Sequence, residues 1–286
     1  MGTLTPYEDF TARLKLFVRK HPELITIALS NIFTMRLIGN KTHGDLAEIG
    51  IAEFVNQYMY DFRSVHVGKD LYRAKSQEED ITIINELTHE EFPVSLKAYG
   101  DGPLQLSTDK TFAMFRRLEQ AGSTIEGRER ILGLLDDPAF TAFSNINVLP
   151  LIYDEKAQRC NILVFDYARV REATVKIVRL DAGHGRKHPV YRFHGDKGEY
   201  ICEVRYGDAA ANALQRGLWT HTRNALEYFD SITNGWIEYS HNLTLVRMLS
   251  KALVCSEAGH AFALQRIEED IALLKQHVGI SKEIRP

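Results

Sequence analysis

Two short apolar runs in the first third of the chain have polar side chains in or beside them that a buried strand does not hold without a partner. Asp80 stands directly before the run at 81–84, and Lys97 lies inside the run at 94–98. Because side chains alternate along a strand, Ser95 and Lys97 are predicted to share one face. A partly buried ammonium group needs an opposite charge, and consecutive strands are usually neighbours. The pattern therefore predicts that Asp80 and Lys97 meet.

Two interpretations of this pair are open. One is a structural ion pair at the end of a sheet. The other is a metal-dependent nuclease site, in which Asp80 binds Mg²⁺ through the hard oxygen ligands that this ion prefers. Such an ion activates a water molecule against a phosphodiester, and Lys97 would orient that water or neutralise the developing charge. Ser95 stands where a second acid would complete the ligand set, so the second interpretation requires another carboxylate.

Glu48 is the candidate for that second carboxylate. It lies in a helix predicted to begin near residue 42, on the same side as the apolar Ile51 and Val55. An apolar setting is unusual for a carboxylate without a function. The alternative is a favourable charge near the helix N-terminus. Glu53 on the same helix is a reserve candidate.

The order of these elements resembles that of a known superfamily. A helix with Glu, a strand with Asp and a strand with x-x-Lys is similar to the PD-(D/E)XK nucleases, and within them to type II restriction endonucleases with an S-x-K variant. The resemblance covers about residues 42–110, with Asp80, Ser95 and Lys97 at the motif positions. It implies a catalytic set completed by Glu48, with Mg²⁺ held by Asp80 and Glu48. Because S-x-K relatives can recruit a downstream glutamate, the resemblance also makes Glu119, on a later helix, a reserve candidate.

The same resemblance implies the substrate and the partners. Water would be the nucleophile, double-stranded DNA the substrate, and the active form a homodimer that matches a two-fold symmetric site. A companion DNA methyltransferase is expected as a separate protein.

Two later stretches are predicted to contact the DNA, within recognition elements at about 165–225. Residues 169–192 hold seven Lys or Arg against two acids, although the chain has a net charge of −3. This asymmetry is typical of a phosphate-binding surface, and the alternative is a solvated charged hairpin. Residues 205–224, mostly in a long helix predicted to begin near 208, carry side chains suited to base edges. The alternative is that these side chains form the solvent-exposed face of a helix that packs on the core. The predicted contacts are Arg186, Lys187, Arg205, Asn212, Gln215, Arg216, Thr220 and Arg223.

Composition sets the class of protein. Hydrophobic residues make up 44% and charged residues 26% of the 286 residues, as in ordinary globular proteins. We predict an α/β or α+β fold, restriction-endonuclease-like, with a central mixed β-sheet flanked by helices and a single nuclease domain over 1–286. The three cysteines show no pairing pattern, and no apolar run reaches the roughly 18 residues of a membrane span. A cytoplasmic protein without a membrane partner is therefore expected.

Other readings of the chain remain open. The spacing of His184, His188 and His194 does not favour a zinc site. Gln105 could belong to the Lys97 site, but a surface loop is favoured for it. The main functional alternative is a non-catalytic nucleic-acid-binding protein with a nuclease-like fold. A third is a hydrolase that uses Asp80 and Lys97 on a small substrate.

Overall fold

The N-terminal region is helical, as its capping residues predict. The computed structural model describes residues 4–29, 43–66, 80–144, 146–183, 186–207 and 216–238, together with Gln265, Glu269 and Leu273, and gives backbone alone for 43–46, 66, 142 and 144. The first helix is closed by a capping box, in which Thr5 accepts from the backbone N–H of Glu8 and the Glu8 carboxylate accepts from the Thr5 backbone N–H at 2.8 Å. Residues 22–29 are also helical.

The described residues include seven named α-helices, of which the capped N-terminal helix is the first. The helices are α1 Pro6–Lys20, α2 His43–Tyr58, α3 Ala113–Ala121, α4 Arg128–Leu135, α5 Thr141–Ser144, α6 Tyr167–Ala173 and α7 Thr222–Tyr228, with a short 3₁₀ turn at Pro138–Phe140. The strands of the described residues are β1 Phe62–His66, β2 Ile81–Asn85, β3 Glu91–Tyr99, β4 Pro103–Ser107, β5 Thr124–Glu126, β6 Val148–Asp154, β7 Arg159–Val164, β8 Lys176–Leu180, β9 Val190–His194, β10 Tyr200–Arg205, β11 Gly217–His221, β12 Asp230–Ser231 and β13 Ile237–Glu238.

The first sheet is mixed and carries the predicted catalytic strands. Its order is β1-β2-β3-β6-β7-β12, and β13 also pairs with β7. Strands β1, β2 and β3 form an antiparallel meander, β3 runs parallel to β6, and β6 and β7 form an antiparallel hairpin. The parallel pair requires a long crossover, and the chain between 99 and 148 supplies it with α3, α4 and α5.

The second sheet is antiparallel throughout. Its order is β4-β11-β10-β9-β8-β5, so the two edge strands come from the crossover and the four inner strands come from later in the chain. Pro103 opens the edge strand β4, where a missing backbone N–H is tolerated.

The two faces of the first sheet belong to two cores. Val94 and Leu96 of β3 pack in one core with residues of α1 and α2, including Phe10 and Val55. The alternate residues of β3 point to the other face, and Tyr99 packs there against the core that the second sheet shares. Helices α1 and α2 both contact β3. The mixed α+β architecture predicted from the sequence is therefore confirmed, with a mixed central sheet flanked by helices.

Contacts divide the chain into two compact units, Met1–Tyr239 and Ser240–Pro286. The first holds both sheets. In the second, the three described positions are helical, and Gln265 donates a hydrogen bond to Glu269 at 3.0 Å, one turn further on. Among the helices that the structure describes, none combines the length and apolar character needed to cross a lipid bilayer.

Two predicted elements are wrong. The long helix expected from 208 does not include residues 217–221, which form β11 between β10 and β4, while 208–215 lie outside the described residues. Pairing on both sides buries Leu218, Trp219 and Thr220, and this burial outweighs the local helical pattern. Gln105, expected in a surface loop, lies buried in β4 opposite Trp219.

Candidate active site

Asp80 lies directly before β2, where the register of the β2–β3 pair brings it to Ser95. Ile81 is opposite Val94, so the next position on each strand places Asp80 beside Ser95 on the same face. The Ser95 hydroxyl donates a hydrogen bond to Asp80 Oδ2 at 2.8 Å. The sequence predicted this neighbourhood correctly, and the structure adds the hydrogen bond.

A second donor to the same oxygen was not predicted. The backbone N–H of Leu96 donates to Asp80 Oδ2 at 2.6 Å. The backbone N–H of Ser95 points toward β6 and donates to the Asn147 carbonyl. Because backbone N–H groups alternate in direction along a strand, the N–H of Leu96 points toward the start of β2. The Asp80 carboxylate thus takes the place of a strand carbonyl and is fixed by backbone as well as by side chain.

Lys97 completes the group. Its Nζ lies 3.8 Å from Asp80 Oδ2, and the two side chains are 28% and 21% exposed. Partial burial strengthens such a pair relative to a fully exposed one, but it leaves the charges in contact with solvent. The predicted meeting of Asp80 and Lys97 is therefore confirmed, and the lysine in the strand has its opposite charge.

Glu48 is buried on α2 and does not appear among the contacts that the described residues record for Asp80. Its neighbours along the helix, Ala47, Ile51 and Val55, belong to the core on the Val94 face of β3. Ser95 and Lys97 point to the opposite face, so Glu48 could join them only around the end of the strand.

The reserve carboxylates have other surroundings. Glu53 is exposed on α2. Glu119 on α3 forms an ion pair with Arg179 of β8 at 3.2 Å, on the second sheet. Neither is among the recorded contacts of Asp80.

The oxygen atoms at this site are of the type that Mg²⁺ prefers as ligands, but they are few. Within the described ranges, no group of three or more His, Cys, Asp or Glu side chains could hold a metal ion. Asp80 and Ser95 offer oxygen atoms only, which suits Mg²⁺ and does not suit zinc. Asp80 Oδ2 takes the three contacts given above, so Oδ1 is the oxygen that would bind the ion. Mg²⁺ commonly keeps several waters and takes further ligands from a phosphate substrate, so one or two carboxylates suffice.

The basic stretch at 169–192 is largely neutralised within the protein. Most of its Lys and Arg side chains pair with acids, many of them on neighbouring elements: Arg169 with Asp166, Arg171 with Asp136, Lys176 with Glu126, Arg179 with Glu119 and Asp181, and Arg192 with Glu203. The excess of positive charge in the sequence is therefore not an excess on this surface. Arg186 and Lys187 are the members for which the described residues record no ion pair.

Two predicted DNA contacts are part of the second sheet. Thr220 is 1% exposed, and its hydroxyl donates to the Ile201 carbonyl at 2.6 Å. Arg205 pairs with the buried Glu203 at 2.6 Å and lies over the Trp219 ring at 3.9 Å. Thr220 in particular is not on an open helix face, because β11 is a strand.

The other predicted contacts are scattered. Lys187 is exposed, and Arg223 is exposed with an ion pair to Asp101 at 3.3 Å. Arg186 and Arg216 are half-buried, and the Nε of each lacks a hydrogen-bond partner among the described residues. Asn212 and Gln215 lie outside the described residues.

Comparison of the chain with protein-family models, with curated proteins and with solved structures gives no match. The function is therefore inferred from the geometry of the site.

Proposed function

We propose that this chain is a Mg²⁺-dependent endonuclease of the type II restriction class, which hydrolyses phosphodiester bonds in double-stranded DNA at a short specific sequence. The meeting of Asp80, Ser95 and Lys97 on adjacent strands carries the proposal. Ser95 and Leu96 fix this carboxylate through Oδ2, and Oδ1 would then bind the metal ion. The helix–strand–strand–strand order of α2 and β1 to β3 supports the resemblance on which the class rests.

Each residue of the site has a distinct role in this proposal. Asp80 would hold Mg²⁺ through Oδ1, and Glu48 is the proposed second ligand. When bound, the ion supplies Lewis-acid stabilisation of the phosphate and a more acidic water. Ser95 positions Asp80 through its 2.8 Å hydrogen bond. Lys97 holds a positive charge on the same face and would bind a phosphate oxygen and neutralise charge as the bond breaks. The active form would be a homodimer, with a methyltransferase encoded separately.

Purified protein incubated with plasmid and genomic DNA in the presence of Mg²⁺ should give discrete fragments. Asp80→Asn and Lys97→Ala should each reduce cleavage by at least about a thousandfold, because both remove charge from the reacting centre. Binding of the same DNA in Ca²⁺ should persist in both variants.

The matched control is Lys15→Ala. Lys15 is also a part-buried lysine paired with an aspartate, Asp230, but it lies on α1. The Lys15→Ala variant should cleave DNA like the wild-type chain at a temperature where both are folded. Equal loss in Lys15→Ala and Lys97→Ala would show that cleavage merely reports folding, and intact DNA with Mg²⁺ or Mn²⁺ across many sequences would overturn the proposal.

A second candidate is a non-catalytic nucleic-acid-binding protein with this fold. The observation that favours it is the single carboxylate, Asp80, in contact with Lys97 among the described residues. It predicts DNA binding that is indifferent to Mg²⁺ and to Lys97→Ala, with no cleavage under any condition. Electrophoretic mobility shifts with and without Mg²⁺, alongside the cleavage assay, separate the two.

A further inference from the structure

A cavity of about 730 Å³ opens at the carboxyl end of β3 and β6. Its lining includes Tyr99, which follows Lys97 by two residues on the same face of β3. Alternate residues of a strand lie about 7 Å apart, so the cavity adjoins the candidate site. Its volume is in the range of pockets that hold small organic ligands.

The walls are aromatic on two sides. Tyr99 and Tyr153 come from β3 and β6, and Trp236 comes from the chain just before β13. Burial raises the pKa of the Tyr99 hydroxyl, so it remains a neutral hydrogen-bonding group at ordinary pH. Flat aromatic side chains of this kind are the surfaces on which nucleic-acid bases stack.

Arg159 contacts both an aromatic side chain and a carboxylate of the cavity lining. Its guanidinium lies over the Trp236 ring at 4.6 Å and pairs with Asp154 at 3.4 Å. Its Nε is buried and takes no hydrogen-bond partner among the described residues. A buried donor without a partner is costly, and a ligand acceptor would satisfy it.

The charges of the lining are balanced. The lining holds three cations, Lys156, Arg159 and Arg223, and three acids, Asp101, Asp154 and Glu155. Arg159 pairs with Asp154, and Arg223 pairs with Asp101. A track for several phosphates would be uniformly positive. A mixed lining suits one phosphate together with a group that donates hydrogen bonds to carboxylates, as the exocyclic amino groups of cytosine, adenine and guanine do.

We propose that this cavity binds a single unpaired nucleotide, with its base against Trp236, its phosphate at Lys156 and at the Nε of Arg159, and an amino-bearing base edge at the acids. This inference rests on the proposed function, since it makes the bound unit a nucleotide next to the scissile phosphate. The pocket would hold one base drawn out of the duplex beside the cleavage point.

Tryptophan fluorescence tests the proposal directly. The chain has two tryptophans, Trp219 and Trp236, and Trp219 is only 6% exposed. In Trp219→Phe, addition of dCMP, dAMP or dGMP to the full chain should quench Trp236 with saturation. Binding of dTMP, whose base lacks an exocyclic amino group, should be about tenfold weaker, and ribose 5-phosphate and inorganic phosphate should not quench. In Trp236→Phe the quenching should vanish.

Arg159→Gln in the Trp219→Phe background should weaken nucleotide binding by about tenfold, the size expected for loss of one hydrogen bond to a charged phosphate. The matched control is Arg63→Gln, since Arg63 is likewise a strand arginine near a carboxylate, at 3.5 Å from Glu86, but away from the cavity. Saturation-transfer NMR on the nucleotides with the unmodified chain gives a second readout that does not depend on the folding of any variant. Equal binding of phosphate and nucleotide, or no nucleotide signal by either method, would overturn the pocket.

The two proposals fail separately. Lys97→Ala should lose DNA cleavage and keep mononucleotide binding. If the chain binds mononucleotides but does not cut DNA, the endonuclease proposal is contradicted and the nucleotide pocket is supported. A chain that cuts DNA without mononucleotide binding in wild type would remove the pocket alone.

Discussion

One oxygen atom carries most of the organisation of the candidate site. Asp80 Oδ2 accepts from the Ser95 hydroxyl and the Leu96 amide and lies near Lys97. Two of these donors fix the direction of the carboxylate, and the third balances its charge. Ser95 therefore acts as a positioning residue, where a second acid would have repelled Asp80.

Ser95→Ala should separate positioning from folding. Loss of one hydrogen bond to a part-exposed carboxylate should lower the free energy of unfolding by about 1 kcal/mol, measured by urea denaturation. Cleavage at saturating DNA should fall by roughly tenfold, since the carboxylate gains freedom. Ser95→Thr keeps a hydroxyl on a residue that suits strands, and it should recover most of both losses. Full activity in Ser95→Ala would remove Ser95 from the site.

The central part of this site could be predicted from the sequence because it depends on local rules. Alternation placed Ser95 and Lys97 on one face, and the adjacency of consecutive strands brought them to Asp80. The hydrogen bond from the Leu96 backbone N–H to Asp80 was missed, because residue types do not indicate the direction in which a backbone N–H points. The nucleotide cavity was missed because its walls come from segments as distant as 99 and 236.

Strand β11 shows how an element is decided by its neighbours. Gly217 opens it with φ of 91°, and a Cβ there would lie 1.9 Å from the Ser107 carbonyl oxygen of β4. A side chain is excluded both by the backbone angle and by this close approach. The glycine thus admits β11 between β10 and β4, which sequence patterns do not indicate.

Gly217→Ala should therefore lower the free energy of unfolding by more than about 3 kcal/mol, because strain and overlap add. Gly133 offers the matched control, since it lies in α4 with open space where a Cβ would stand. Gly133→Ala should stabilise the protein by up to about 1 kcal/mol, the difference in helix propensity. Thermal and urea unfolding of the two variants measure both, and similar effects in the two would contradict the account of β11.

Regular alternation explains which elements could be predicted. Strands β2 and β3 lie within a few residues of the runs predicted at 81–84 and 94–98, because each is an apolar or alternating run. Strand β4 was hidden by the glycines and proline at 100–103. The long helix predicted from 208 failed at 217–221 because burial between two strands outweighs local propensity.

At the scale of the whole molecule, pairing of charges would limit how this protein holds DNA under the proposed function. Five of the seven basic side chains in 169–192 pair with carboxylates of the chain itself. A polyanion can use such a side chain only by displacing its partner. Binding should therefore depend on the few cations without a recorded partner in the described residues, such as Arg186, Lys187 and Arg216.

The salt dependence of DNA binding tests this limit. Three phosphate contacts per protomer predict a slope of log K against log salt of about −3, whereas all seven side chains of 169–192 would give about −6. Fluorescence anisotropy in Ca²⁺ over a range of KCl concentrations measures the slope. Lys187→Ala should make it less steep by about 0.9. Arg171→Gln, which breaks the pair with Asp136 at 2.5 Å, should leave it unchanged. A slope near −6 would mean that the internal pairs open on binding.

The interleaving of the two sheets bears on how the chain is made. Strands β4 and β5 leave the ribosome before β6, but β4 pairs with β11, whose residues end at 221. The first sheet likewise waits for β12 and β13 near 230–238. A nascent chain of half the full length lacks β11, β12 and β13, so neither sheet can form completely. The β4 edge therefore remains without its pairing partner during much of synthesis. Protection by a chaperone during translation would be most needed in that interval.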